Sequence, residues 1–174
     1  MGQLGDQDGD RRLQYAAALE NLVGKTITRA WHAATLRGFA FGGFDNDEKA
    51  PWSFHIQCSW RIETQNAIIT GSEDWFERAN PELADDDDWD PGNGGSLQEA
   101  RLRELFRDPD SCGAIANNSA LLTCTSFEVD ALGSVVIGLT GGFMLRVFPA
   151  GSRGEHWRIF LKGDDESHVV CKSS

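Results

Sequence analysis

The densest group of residues able to do chemistry lies within residues 53–63, Ser-Phe-His-Ile-Gln-Cys-Ser-Trp-Arg-Ile-Glu. Side chains on a strand alternate between its two faces, which puts His55, Gln57, Arg61 and Glu63 on one side and Phe54, Ile56, Cys58, Trp60 and Ile62 on the other. A second such stretch, residues 155–162, sets His156 and Arg158 on one face. If the two stretches lie close in one sheet, His55, Arg61, His156 and Arg158 line a concave surface suited to an anionic ligand. The plainer reading is a solvent face crossed by ion pairs. Cys58 stands on the apolar face and reads as a buried thiol, not as a nucleophile. It is three residues from His55, hence on the opposite face, so the two cannot share a metal without a bulge.

Other motifs fail on spacing. Gly24-Lys25-Thr26 resembles the end of a phosphate-binding loop, but that loop needs glycine where Leu19 stands. Ser152 has Ala150 where a nucleophile elbow needs glycine. A calcium loop starting at Asp86 would have Asp88 and Asp90 in register, yet Pro91 takes the required glycine position and Leu97 the required glutamate. His32 has no carboxylate at ligand spacing. No catalytic residue, metal site or cofactor is therefore expected.

What does stand out is charge. The chain carries a formal net charge of −11, and residues 71–95 hold nine acids against the single base Arg78, a local charge of −8. Trp89 sits inside the run Asp85, Asp86, Asp87, Asp88, Trp89, Asp90. Aromatic residues anchor interfaces, and an acidic field draws in basic proteins and repels phosphate backbones. A basic protein is thus the expected partner, with nucleic acid excluded; a solvated acidic loop with Trp89 folded onto the core is the alternative.

At 174 residues the chain is long enough for one domain with its own core, and its 40% hydrophobic and 25% charged content fits a globular protein. Residues 1–10 lack a basic and then apolar leader, and the uncharged run over residues 131–145 holds four glycines and is too short to span a bilayer. The expected compartment is the cytoplasm, with no membrane partner. Four scattered cysteines without a CxxC pair then read as free thiols.

The elements follow from periodicity. Gly- and Asp-rich residues 1–10 are expected to be disordered. A helix begins after an Asp10 cap, presents Tyr15, Leu19 and Leu22 on one stripe and ends at Gly24. Ser96 and Glu99 match a capping box, which predicts a second helix over residues 97–107. About nine strands are predicted, over residues 26–36, 39–44, 53–63, 67–70, 121–129, 134–140, 143–148, 155–162 and 168–171, with the acidic loop at 77–95. Short connections and the lack of a βα rhythm predict an α+β fold built mainly from an antiparallel curved sheet or partly closed barrel.

On Trp60-Arg61-Ile62, Gly71-Ser72-Glu73-Asp74 and the stretch from Phe148-Pro149 to Glu155-His156-Trp157-Arg158, residues 22–170 resemble a family of small bacterial cytosolic proteins with no established reaction. The resemblance implies a single cytosolic domain and carries over neither catalytic residues nor a cofactor. Together these readings predict a non-enzymatic binding protein, of the immunity or inhibitor type, that takes a basic protein on its acidic surface. The alternatives are an anionic-ligand domain or enzyme using the His/Arg surface, and a subunit that pairs into a homodimer through an exposed sheet edge.

Overall fold

A computed structural model describes residues 4–43, 51–82, 89–93, 95–109 and 113–173. Among the described residues eleven strands and two α-helices form the frame. The helix α1 (Leu4–Glu20) is followed by β1 (Ile27–Ala33), β2 (Leu36–Phe41), β3 (Trp52–Ile56), β4 (Ser59–Glu63) and β5 (Ile68–Gly71). Next come α2 (Leu97–Phe106), β6 (Ile115–Ala116), β7 (Cys124–Val129), β8 (Val135–Leu139), β9 (Phe143–Phe148), β10 (Glu155–Leu161) and β11 (Val169–Lys172). The strands make two wholly antiparallel sheets, ordered β11-β10-β3-β2-β1-β6 and β5-β4-β9-β8-β7. The α+β class and antiparallel pairing agree with the sequence; the sheets stay open and do not close into a barrel.

The predicted single strand over residues 53–63 serves both sheets. Its apolar alternation is real, since Phe54, Ile56, Trp60 and Ile62 are all buried. Midway, however, the backbone N–H groups of Gln57 and Cys58 both donate to the carbonyl of His156, at 2.8 and 3.2 Å. One acceptor facing two donors is a kink, and beyond it the chain leaves β10 and pairs with β9. This split and the two-residue β6, too short to show a period, turn the nine expected strands into eleven.

Both Trp-Arg-Ile triplets obey the same rule, one in each sheet. Trp60 and Ile62 point inward from β4, Trp157 and Ile159 inward from β10, and Arg61 and Arg158 face out. Each fully buried side chain of this size contributes about 1.5–3 kcal/mol of transfer free energy. Trp157 packs edge-on to Tyr15 and Phe54, and its Nε1–H donates to the carbonyl of Gly133 at 2.7 Å. Gly133 has φ +85°, and a Cβ there would lie 2.1 Å from Cys171 Sγ, so this turn requires glycine.

The helices close the two flanks. Tyr15, Leu19 and Leu22 form the predicted buried stripe, and α1 contacts β7, β10 and β11, at one edge of each sheet. It starts at Leu4, so Asp10 lies inside the helix and does not cap it. At the opposite edges α2 contacts β5 and β6. A core of side chains from both sheets and both helices fills the space between. No described helix is long and apolar enough to cross a membrane.

Candidate functional site

The acidic segment leaves β5 and returns at α2. Its ends are clamped together: Ala79 N–H donates to the Gly95 carbonyl at 2.9 Å, Leu97 N–H donates to the Glu77 carbonyl at 2.7 Å, and Arg78 bridges Ser96. A short 3₁₀ turn, Glu73–Phe76, opens the segment and sends two consecutive aromatic rings in opposite directions. Trp75 is buried, its ring centroid 4.6 Å from that of His32. Phe76 is 61% exposed, with the exposed carboxylates of Glu73 and Glu77 beside it in sequence. None of the ion pairs between described residues uses Glu73, Glu77, Glu82 or Asp90.

Asp85, Asp86, Asp87 and Asp88 lie outside the described residues. Asp90 is exposed, and its Oδ1 accepts from Gly92 N–H at 2.8 Å. Trp89 is half-buried, with the guanidinium carbon of Arg78 at 5.2 Å from its ring centroid. The exposed aromatic of the segment is therefore Phe76. A sequence signal existed in the pair Trp75-Phe76 between acids, because a tight turn at the surface can bury only one of two adjacent rings.

Where α2 meets the first sheet, the core ends in charge. His32 and Arg37 are cross-strand partners on the inward face of β1 and β2, in line with Ile56. Arg37 is 1% exposed; it donates through Nη1 to Glu99 Oε1 at 3.3 Å and through Nη2 to Gln98 Oε1. Glu99 also pairs with Arg103 at 3.5 Å, and Arg103 pairs with Asp108 at 3.3 Å. His32 Nε2 stands 3.8 Å from Glu99 Oε1. Burial pushes the imidazole pKa down, Arg37 adds to that, and Glu99 and Asp90 oppose it. The capping box is thus half made. Ser96 Oγ accepts from Glu99 N–H at 3.2 Å, while the Glu99 carboxylate turns into the core to hold two arginines. Among the described residues the buried side-chain nitrogen and oxygen atoms without a hydrogen-bond partner are His32 Nδ1, Arg37 Nε and Thr70 Oγ1. No local sequence pattern points to this cluster, because its members come from β1, β2, α2 and the turn after α2.

The four residues expected to share a concave surface are divided. His55 and Arg158 are register partners on β3 and β10, on the outer face of the first sheet. His55 lies edge-on to Trp31 and Phe160, at 5.5 and 4.8 Å between centroids. Burial lowers its pKa, Arg158 and His168 lower it further, and Glu155 opposes them. His156 is buried in the β10 bulge, where Nε2 meets Ser173 Oγ at 2.6 Å and its carbonyl pins the β3–β4 kink. Arg61 belongs to the other sheet, where it pairs with Glu63. The bulge, which turns His156 inward, and the kink, which passes Arg61 into the second sheet, therefore correct the one-sheet picture.

Two clefts open elsewhere. One of about 420 Å³ lies between α1 and the β7–β8 hairpin, lined by Arg12, Phe127 and Asp130 among others. The other, of about 330 Å³, is walled by Ile68, Ile69, Leu105 and Phe143, with the Arg101–Glu104 ion pair at its side. No group of three or more His, Cys, Asp or Glu among the described residues could hold a metal ion. Cys58, Cys124 and Cys171 are free thiols. Comparison of the chain with family models, with curated proteins and with solved structures finds no match.

Proposed function

We propose that this chain is a non-enzymatic binding protein, of the immunity or inhibitor type, that receives a basic protein on its acidic segment. The observation that carries the reading is Phe76, a 61% exposed ring between exposed carboxylates on a turn that the buried Trp75 anchors to the core. Such a ring offers apolar area to a partner while the surrounding charge selects a basic one. The clamp between residues 77–79 and 95–97 gives the turn that carries Phe76 a fixed footing beside α2. A local charge of −8 supplies long-range attraction that salt screens.

Affinity capture from the native host tests it. The wild type is compared with a variant carrying Phe76→Ser, Glu73→Gln, Glu77→Gln and Glu82→Gln, and with one in which Asp85 to Asp88 are asparagine. Recovery of a Lys/Arg-rich protein that is lost with both variants and at high salt supports the proposal. Recovery of no basic protein, or capture indifferent to the substitutions, overturns it.

A further inference from the structure

The two outward-facing arginines of the Trp-Arg-Ile triplets end in different company. Arg158 shares its carboxylate with no second arginine: it donates through Nε to Glu155 Oε1 at 2.6 Å, an oxygen that also accepts from Gln57 Nε2 at 2.8 Å. Arg61 shares one. It stands directly across the strand boundary from Arg146 of β9, two like charges in register, an arrangement that costs stability unless an opposite charge lies between them. Glu63, two residues along β4, supplies that charge: Oε2 accepts from Arg61 Nε at 2.5 Å and Oε1 accepts from Arg146 Nε. Burial alone would raise the Glu63 carboxyl pKa, but the hydrogen bonds from Arg146 and Arg61 outweigh it and hold the group ionised. Two guanidiniums on one carboxylate leave one positive charge over.

Across β5, β4, β9, β8 and β7 the register partners are Gly71, Arg61, Arg146, Val136 and Glu128; the acid of this row, Glu128, lies two strands from Arg146 and forms no ion pair with it, and the next row is Ile68, Glu63, Met144 and Gly138. Each guanidinium meets Glu63 only through Nε. Arg146 Nη2 has a weak contact with Met144 Sδ at 3.8 Å, and neither Nη group of Arg61 nor Nη1 of Arg146 has an acceptor among the described residues. The two side chains are 39% and 32% exposed, so their free donors are reachable from solvent. Arg61 is also held in place from below, its guanidinium carbon 5.1 Å from the ring centroid of Phe148, a ring that is itself 37% exposed.

We propose that Arg61 and Arg146 form a binding site for a phosphomonoester carried on an apolar or aromatic body. A guanidinium recognises oxyanions through paired N–H donors, and here the shared carboxylate fixes two such groups side by side with their outer donors free. A phosphomonoester has three terminal oxygens and can accept from both arginines at once, whereas a carboxylate has two. Phe148, Met144 and Ile68 flank the pair and give the organic body of the ligand an apolar surface. In a chain of charge −11, this is a local reversal of sign on the second sheet. It uses none of the carboxylates of residues 73–90 and stands apart from the binding role proposed for them.

The probes are phenyl phosphate, inorganic phosphate and benzoate, titrated into the full chain while the arginine side-chain NMR resonances are followed. Phenyl phosphate is expected to bind saturably and tightest, and to strengthen as pH rises through about 6, where the phosphate becomes a dianion. Arg61→Gln and Arg146→Gln are each expected to abolish saturation, and Arg61→Lys, which keeps charge but loses the planar fork, to weaken binding about tenfold. Wild-type chain that shows no saturable shift, or Gln variants that bind unchanged, would overturn the site. Benzoate binding as tightly as phenyl phosphate, with no change through that pH range, overturns the phosphoryl assignment, and this comparison needs no variant to fold.

Discussion

Replacing Glu99 by leucine removes the single carboxylate that holds Arg37 and Arg103 at the inner end of α2. Arg37 is 1% exposed and would keep the Gln98 side-chain oxygen as acceptor and the Trp75 ring 5.8 Å from its guanidinium carbon, while Arg103 retains Asp108. Breaking a buried ion pair from one side typically costs about 3–5 kcal/mol, because the remaining charge stays desolvated. Total stabilities are about 5–15 kcal/mol, so Glu99→Leu should leave the fold marginal. For a chain of this size each kcal/mol shifts the midpoint by about 2–4 °C, giving an expected fall of roughly 6–20 °C. Arg37→Met should cost a similar amount by stranding the carboxylate beside Arg103 alone. The double variant Arg37→Met, Glu99→Leu places two apolar side chains in contact and should lose less than either single change. Urea denaturation followed by tryptophan fluorescence measures all three, with an expected coupling of at least about 2 kcal/mol. Single variants within about 1 kcal/mol of wild type, or losses that simply add, would refute the view that α2 is locked by this charge cluster.

Gly38 lies under the Trp31 indole, where a Cβ would come 2.2 Å from Cε2, so Gly38→Ala should cost about 1–3 kcal/mol and lift the ring off the sheet. Removing the indole as well, in Trp31→Ala, Gly38→Ala, should relieve the clash, and the melting temperatures of the two variants check this. The Cys58 thiol is pushed up to about 12 by burial, so its alkylation at pH 8 should run on the order of a thousandfold slower than that of a free cysteine, measured by mass spectrometry. His55 has a folded pKa below its unfolded value of 6.5, so between the two the unfolded chain binds more protons. Its contribution is complete above about pH 6.5 and is lost as pH falls toward the folded value; His55→Gln should flatten part of that slope, with His32 accounting for another part. Denaturation midpoints measured from pH 5 to 8 would contradict this if both variant and wild type showed the same slope.

Much of the frame could be read directly. The alternation in residues 53–63 gives the buried face Phe54, Ile56, Trp60 and Ile62, and Tyr15, Leu19 and Leu22 give the inward stripe of α1. Ser96 marks the start of α2 through its bond to Glu99 N–H. These features were legible because each depends on side chains a few residues apart, where backbone geometry fixes direction. The same local reasoning misplaced His156, which the bulge at β10 turns inward, and carried Arg61 into the wrong sheet, because the kink at Gln57 and Cys58 leaves the hydrophobic alternation intact. Phe76 was within reach of the sequence, but which of two adjacent rings becomes buried depends on the cavity that receives Trp75.

Local periodicity, turn chemistry and charge count are properties of the chain itself, so the antiparallel α+β class, the core faces and the acidic segment follow from the amino-acid order. Which charges meet does not. Glu99 with Arg37, and Glu63 between Arg61 and Arg146, pair residues 62 and 83 positions apart in the longer cases. Their partners are set by strand order and register, and those depend on how the apolar faces of two sheets and two helices pack together. The sites proposed for a partner and a ligand therefore differ in origin: the charge of the first is written in one segment, whereas the second exists only once β4 lies beside β9.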